Sequence, residues 1–279
     1  MKFCNFAVMK TKSISPAFVF AGFNLFATLL IIVLTVKEKL PVAGLPLTYV
    51  QMQSLWPNDF TPSGYGQNQV PQEQIFFALP EKRLKDVGLV NVKELDTSIV
   101  VDLKYSSTDN FLLTDVYGDL NECYLQKEAA EKLSKAQEIL HEKYPFYNLV
   151  VFDGVRPLSI QKTMWESLKI PADDKRKFLA SPWEKSLHNF GAAVDVSIVN
   201  SDGWEIDMGT PYDYFGELGY PVSEDRMLQE GKLMHRQKEN RKLLRDVMTK
   251  AGFLPIATEW WHFNFCTRAE AVQKYELIK

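Results

Sequence analysis

The sequence predicts an α+β fold: one domain with a largely antiparallel central sheet flanked by helices, after an N-terminal hydrophobic helix. Three observations lead there. Short apolar or alternating runs of strand length recur along the second half of the chain, amphipathic stretches at helical spacing separate them, and no βαβ rhythm or internal repeat orders the two. The chain has 279 residues, 46% hydrophobic and 13% aromatic, ample for a packed core and incompatible with a disordered or collagen-like polymer. Its 32 Lys and Arg against 35 Asp and Glu give a net charge of −3, so no basic footprint for nucleic acid exists.

The first element is the stretch Ala17 to Val36, twenty residues without a charge, long enough to cross the roughly 30 Å hydrocarbon layer as a helix. Lys2, Lys10 and Lys12 precede it with no acid among them, which keeps the start of the chain in the cytoplasm and sends the remainder outward. A buried core helix is the competing reading, disfavoured by the lysine cluster directly before the apolar run. No clean small-x-small cleavage site follows, so residues 1–36 read as an uncleaved membrane anchor in preference to a signal peptide. The rest then carries 29 basic and 35 acidic residues, a balance of −6.

Residues 37–86 follow as a lead-in, with six prolines between Pro41 and Pro80 and glutamines scattered among them. From residue 87 to 279 the texture is that of a folded domain. Ser98 to Tyr105 begins apolar and then alternates, as a strand does. Lys127 to Lys143 places Ala130, Leu133, Ala136, Ile139 and Leu140 on one helical face. Asn148 to Phe152 is a short buried strand ending at Asp153-Gly154, and Ile160 to Leu168 is helical. Gly191 to Val199 alternates, with Val194, Val196 and Ile198 on one face and Ala193, Asp195 and Ser197 on the other. Asn240 to Ala251 is a helix stopped by Gly252. Trp260 to Phe265 alternates again.

Three cysteines, Cys4, Cys123 and Cys266, form no CxxC pair, so a metal in this chain must use histidine and carboxylate. Cys123 and Cys266 either pair in an oxidising exterior or remain separate thiols. Of four histidines, His141 and His235 sit in charged helical stretches and read as solvated. His188 and His262 stand near acids in apolar strand settings. Asp195, on the small-residue face of its strand, needs a hydrogen-bond partner, an ion pair or a metal, because an ionised carboxylate is expensive to bury. His188, Asp195 and His262 would give Zn²⁺ three ligands and leave a fourth position for water, the open arrangement of a catalytic site, with that water ionising near pH ~7. Glu259, three residues before His262, reaches the same site only if it lies in the turn before the strand. It would then serve as a general base that is not a ligand. Arg156, directly after a buried strand, is the natural cation for an oxyanion.

The run Ser-x-His-x-x-Gly-x-Ala-x-Asp at 186–195, the Glu-Trp-Trp-His ending at 259–262 and Asp153-Gly154-Val155-Arg156-Pro157 together resemble the zinc D-alanyl-D-alanine dipeptidases of the vancomycin-resistance type. These sit within the wider group of D,D-carboxypeptidases and murein endopeptidases. The likeness runs from about Leu89 to Phe265 and includes Tyr105-x3-Asp109-Asn110-Phe111, Val116-Tyr117-Gly118 and Asp207 to Asp213. It implies one zinc per chain on His188, Asp195 and His262, a base at Glu259, transition-state stabilisation by Arg156, an ammonium anchor at Asp213 and a substrate-lining Ser186. It also implies a small D-configured dipeptide as substrate. Val155 stands where the family carries an aromatic, and Asn189-Phe190 where it carries Ser-Arg. Two other readings stay open: a peptidoglycan D,D-carboxypeptidase or endopeptidase, and an inactive wall-binding protein. A small closed cavity ending at Asp213 would favour free dipeptides, and an open groove the polymer.

Overall fold

The computed structural model describes residues 81–168, 171–176 and 179–279. The hydrophobic stretch 17–36 and all but the last six residues of the lead-in lie outside them. Among the described residues no helix is long and apolar enough to cross a membrane.

A five-stranded sheet in the order β2–β4–β5–β7–β6 forms the frame. Its strands are β2 (Val100–Val101), β4 (Asn148–Asp153), β5 (Ala193–Val199), β6 (Leu254–Pro255) and β7 (His262–Asn264). The β2–β4 pair is parallel and the other three pairs are antiparallel. A separate antiparallel pair joins β1 (Leu89–Asn91) to β3 (Tyr124–Gln126). Among the described residues seven α-helices accompany the strands: α1 (Glu81–Asp86), α2 (Lys127–Lys143), α3 (Leu158–Ser167), α4 (Ala172–Lys175), α5 (Glu224–Gln229), α6 (His235–Lys250) and α7 (Arg268–Lys274). The architecture is α+β, with a mixed sheet.

Helix α2 spans the predicted residues, because Ala129, Ala130, Leu133, Ala136 and Leu140 bury one face while its charged face stays wet. It packs on α6. Strands β4 and β5 are buried along nearly their whole length, so both faces of the sheet centre are covered. Leu84 of α1 belongs to the same core.

Four expectations change. The strand from Ser98 to Tyr105 shrinks to Val100–Val101. Lys104 is drawn aside by Asp102 at 2.7 Å and Asp109 at 3.0 Å, and Asn110 Nδ2 donates to the carbonyls of Lys104, Ser107 and Thr114. These bonds fold 104–106 into a 3₁₀ turn that buries Tyr105. Helix α6 begins five residues before Asn240, because Gln237 Oε1 accepts the amide of Met234 at 2.8 Å and caps a start written in polar residues. Of the alternating run 260–265 only His262–Asn264 pairs as a strand, and Trp260 and Trp261 lie in the bend before it. His141 is partly buried, its Nε2 at 2.6 Å from Gln137 Nε2 and 3.0 Å from Asn148 Oδ1, while His235 is exposed as expected. Cys123 and Cys266 are both free thiols, the first buried and the second partly so.

Candidate metal centre

Register places three acidic and imidazole side chains in one row across the sheet. A shift between Val151 and Asp153 in β4 sets Asp153 opposite Asp195 of β5, and Asp195 in turn faces His262 of β7. Such irregularities re-aim a side chain next to a site. The second imidazole comes from a different element. Ser186 Oγ accepts the amide of His188, and Asn189 Oδ1 accepts the amide of Ser186 at 2.7 Å, a reciprocal cap that starts the 3₁₀ turn Leu187–Phe190. Gly191, at φ +63°, then turns the chain into β5. A Cβ there would stand 2.8 Å from Leu89 Cδ2.

The ligand atoms converge. His188 Nε2 lies 3.2 Å from His262 Nδ1 and 3.4 Å from Asp195 Oδ1, and His262 Nδ1 lies 2.9 Å from Asp195 Oδ1. Ligands about 2.0 to 2.1 Å from a tetrahedral zinc stand about 3.3 Å apart, so this triangle has the right size. Among the described residues it is the one group of three or more such side chains that could hold a metal ion. Both outer ring nitrogens are tied away from the centre. His188 Nδ1 donates to the carbonyl of Gly154 at 2.7 Å, and His262 Nε2 donates to Asn264 Oδ1 at 2.9 Å. A cation that displaces the inner protons would therefore meet the inner nitrogens, with the outer N–H of each ring already tied away. Tyr212 donates its hydroxyl to the remaining oxygen of Asp195 at 3.0 Å.

Glu259 lies in the bend ahead of β7, where the spacing argument required it, with Oε2 3.8 Å from His262 Nδ1. Burial pushes its carboxyl above the usual glutamate range, opposed by His262. Burial also acts against charge on Asp195 and on His262. On Asp195 the nearby His188, and after it His262, prevail and hold its carboxyl well below the usual carboxylate range, while Asp195 and then Glu259 raise His262 to about 9.

Arg156 is buried and held in place. Its Nε donates to Asp153 Oδ2 at 2.8 Å, its Nη2 bonds the same oxygen, and its Nη1 donates to Gln161 Oε1 at 3.1 Å. Nη2 also reaches to 3.8 Å from Asp195 Oδ2, and the guanidinium stacks 5.3 Å over the ring of Tyr105. Tyr117 completes the cradle by donating to Asp153 Oδ1 at 2.5 Å. Asn189, the residue that departs from the family pattern, donates Nδ2 to the Arg156 carbonyl at 2.8 Å, so it ties the arginine loop to the histidine turn.

Asp213 faces the same cavity from the loop after β5, buried and at φ +56°, with Tyr105 donating its hydroxyl to Oδ2 at 2.7 Å. Burial lifts its carboxyl far above the usual range, more than that hydrogen bond lowers it. The loop is fastened from behind by Arg241 of α6, which donates to the carbonyls of Met208 at 2.6 Å and Leu218 at 2.9 Å. Trp260, next to Glu259, shares Thr210 Oγ1 with that arginine.

All seven predicted site residues line one cavity of about 450 Å³: Glu259, Arg156, His188, Asp195, His262, Asp213 and Ser186. That size is ordinary for a small-molecule site. Sequence reasoning did not assign roles to Tyr105, Asp153, Tyr212, Asn264 or Arg268. Asp153 carried a usable signal, as a carboxylate ending a buried strand beside an arginine. Asn264, in alternation with His262, carried none.

The profile of the peptidase M15 family, described as D-ala-D-ala dipeptidase, matches residues 85–278. The chain is similar to the D-alanyl-D-alanine dipeptidase of Escherichia coli (strain K12), 27% identical over 176 residues covering 63% of this chain and 83% of the relative. It is also similar to the proteins of the same name from Enterococcus faecium and Enterococcus faecalis (strain ATCC 700802 / V583). Each is 26% identical, across 64% and 63% of this chain respectively and 91% of each relative.

Proposed function

Because this chain belongs to the peptidase M15, D-ala-D-ala dipeptidase, family and is a metallopeptidase, we propose that it hydrolyses D-Ala-D-Ala or related D-configured dipeptides at a single zinc ion. His188 Nε2, Asp195 Oδ1 and His262 Nδ1 would hold the ion. The observation that carries this reading is the ligand triangle itself, sized for a tetrahedral cation with both outer imidazole nitrogens engaged elsewhere. The bound ion supplies Lewis acidity at the point where the scissile carbonyl and a water meet.

The chain's own groups account for the proton and the charge. Glu259 is placed to take a proton from water and return it to the leaving amine, and its raised pKa suits both duties. Arg156, fixed by Asp153 and Gln161 before any substrate arrives, presents a preorganised cation to the developing oxyanion. Asp213 gives an arriving ammonium group a buried partner, which would restore the charge that burial disfavours. Presence of a base beside the triangle also speaks against an inactive wall-binding protein, which needs no such carboxylate. The uncharged stretch 17–36 behind three lysines supports placing this chemistry outside the cytoplasmic membrane, in cell-wall peptide metabolism.

The test is incubation of the purified protein, with and without chelator, against D-Ala-D-Ala, L-Ala-L-Ala and a pentapeptide stem. The proposal expects chelator-sensitive cleavage of the D,D-dipeptide above the other two. Faster cleavage of the stem would transfer the assignment to a D,D-carboxypeptidase, and equal cleavage of the L,L-dipeptide would remove the stereochemical claim.

A further inference from the structure

Two arginines line the cavity, and their surroundings differ. Arg156 is buried and held by Asp153 and Gln161, with its remaining N–H groups assigned above to the oxyanion. Arg268, at the start of α7 and four residues beyond β7, is exposed. Its Nη1 donates to the backbone carbonyl of Glu184, and among the described residues it pairs with no carboxylate. The carboxylate of Glu184 is turned to Arg176 instead, 3.9 Å from its Nε. The carbonyl bond therefore orients the Arg268 guanidinium without neutralising it. A guanidinium carries five N–H donors in a fork that matches a carboxylate, and the edge not used on Glu184 remains for a ligand.

The charges of the cavity give that edge a purpose. A free dipeptide is a zwitterion. Asp213, held by Tyr105, serves the ammonium end, and Arg156, held by Asp153, is assigned to the oxyanion at the scissile carbonyl. Of the side chains lining the cavity, the remaining guanidinium or ammonium group is that of Arg268. The two anchors share no holding residue, one fastened through Tyr105 and the other through Glu184. Ser186 and His188 follow Glu184 closely in the chain, and His262 precedes Arg268 by six residues, so the metal ligands and this cation are delivered by the same two segments.

We propose that Arg268 receives the free C-terminal carboxylate of the substrate and is a specificity-determining residue, confining this enzyme to short peptides that end at that carboxylate. The inference rests on the hydrolase reading above and adds to it the group that recognises the chain end.

The experiment compares D-Ala-D-Ala with its C-terminal amide in the wild-type enzyme, Arg268→Gln and Arg268→Lys. The wild type should show a KM roughly 10-fold or more lower for the acid than for the amide, the scale of one charge-assisted contact at a solvated rim. Arg268→Gln should bring that ratio near one by weakening the acid, with kcat changed far less than KM, and Arg268→Lys should restore part of it. An acid preference that survives in Arg268→Gln, or an equal loss on acid and amide, overturns the inference. Calorimetric titration of both peptides into zinc-loaded Glu259→Ala protein, with and without Arg268→Gln, reads the same ratio without turnover. An Arg268-dependent ratio there, with no hydrolysis by the wild type, removes the hydrolase reading alone. Hydrolysis with an Arg268-independent ratio removes this inference alone, and failure of the protein to bind either peptide overturns both.

Discussion

The site has a half built on the sheet and a half built on loops, and the two are held by different forces. His262 and Asp195 take their places from strand register, and His188 from a turn that abuts β5. Moving Asp195 or His262 means slipping a strand, which in β5 would exchange the Val194, Val196 and Ile198 face with the one that carries Asp195 and Ser197. Asp213 and Arg268 take no part in that strand pairing. Asp213 depends on Tyr105 in front and on Arg241 behind, and Arg268 on a single carbonyl. Under the proposed assignment this is a division of labour: the groups that would hold the metal are placed by backbone pairing, and those that would meet the ends of a substrate by side-chain bonds.

The sharpest way to separate the halves is Glu259→Ala. It should lower kcat by about 10²- to 10⁴-fold, the usual worth of a general base, while metal content measured on the same sample stays stoichiometric. Loss of metal together with activity would make Glu259 a ligand and erase the distinction within the sheet-borne half.

Breaking the loop-borne half is the task of Arg241→Met. The substitution keeps side-chain bulk but leaves the carbonyls of Met208 and Leu218 without their donor in a buried setting. Destabilisation of about 2 to 3 kcal/mol is expected, read from denaturant midpoints, with KM raised through the displaced Asp213 and zinc stoichiometry kept. A variant that loses zinc instead would show that the two halves are mechanically one.

Asn264→Ala probes the sheet half more gently. Removing the acceptor of His262 Nε2–H frees the ring to turn, and zinc affinity measured by competition with a chelating dye should fall roughly 10-fold. Unchanged affinity would mean that β7 alone orients the ring.

The smallest effect concerns Glu205, outside both halves, whose carboxylate accepts from Ser197 Oγ at 2.6 Å on the small-residue face of β5. Burial raises it to about 7, above an unfolded value of ~4.3. The folded state thus favours the protonated acid. Its stabilising contribution is complete below pH ~4.3 and is lost as pH climbs through about 7. Glu205→Gln should therefore be more stable than wild type at pH 8, by at most about 1 kcal/mol because solvent reaches part of the residue and screens its charge, and the gain should vanish at pH 4. Thermal melts at the two values decide it, and a pH-independent difference would contradict the assignment.

The same division explains what could be read from the sequence. The apolar period of Lys127 to Lys143 and the continuous run at Asn148 to Phe152 report burial directly, and both elements stand where the periodicity put them. His188, Asp195 and His262 were legible as a candidate set because they stand in apolar settings, and the family resemblance implied them as ligands; the structure brings the three together. The placement of Glu259 followed from the geometry of a strand. What stayed hidden is written in tertiary hydrogen bonds. Nothing local shows that Asn110 would pull Ser98 to Tyr105 out of the sheet after two residues, or that Gln237 would start a helix at His235. The fastening of the Asp213 loop by an arginine on α6, and the turning of Arg268 to Glu184, join residues far apart in the chain with no periodic trace.

The central claim is that strand register and a capped turn assemble a three-ligand zinc site beside a base that does not touch the metal. Metal analysis of the wild type, His188→Ala and Glu259→Ala after exhaustive dialysis tests it most directly. One zinc per chain in the wild type and in Glu259→Ala, with almost none in His188→Ala, is the predicted result. Full zinc occupancy in His188→Ala would contradict the account.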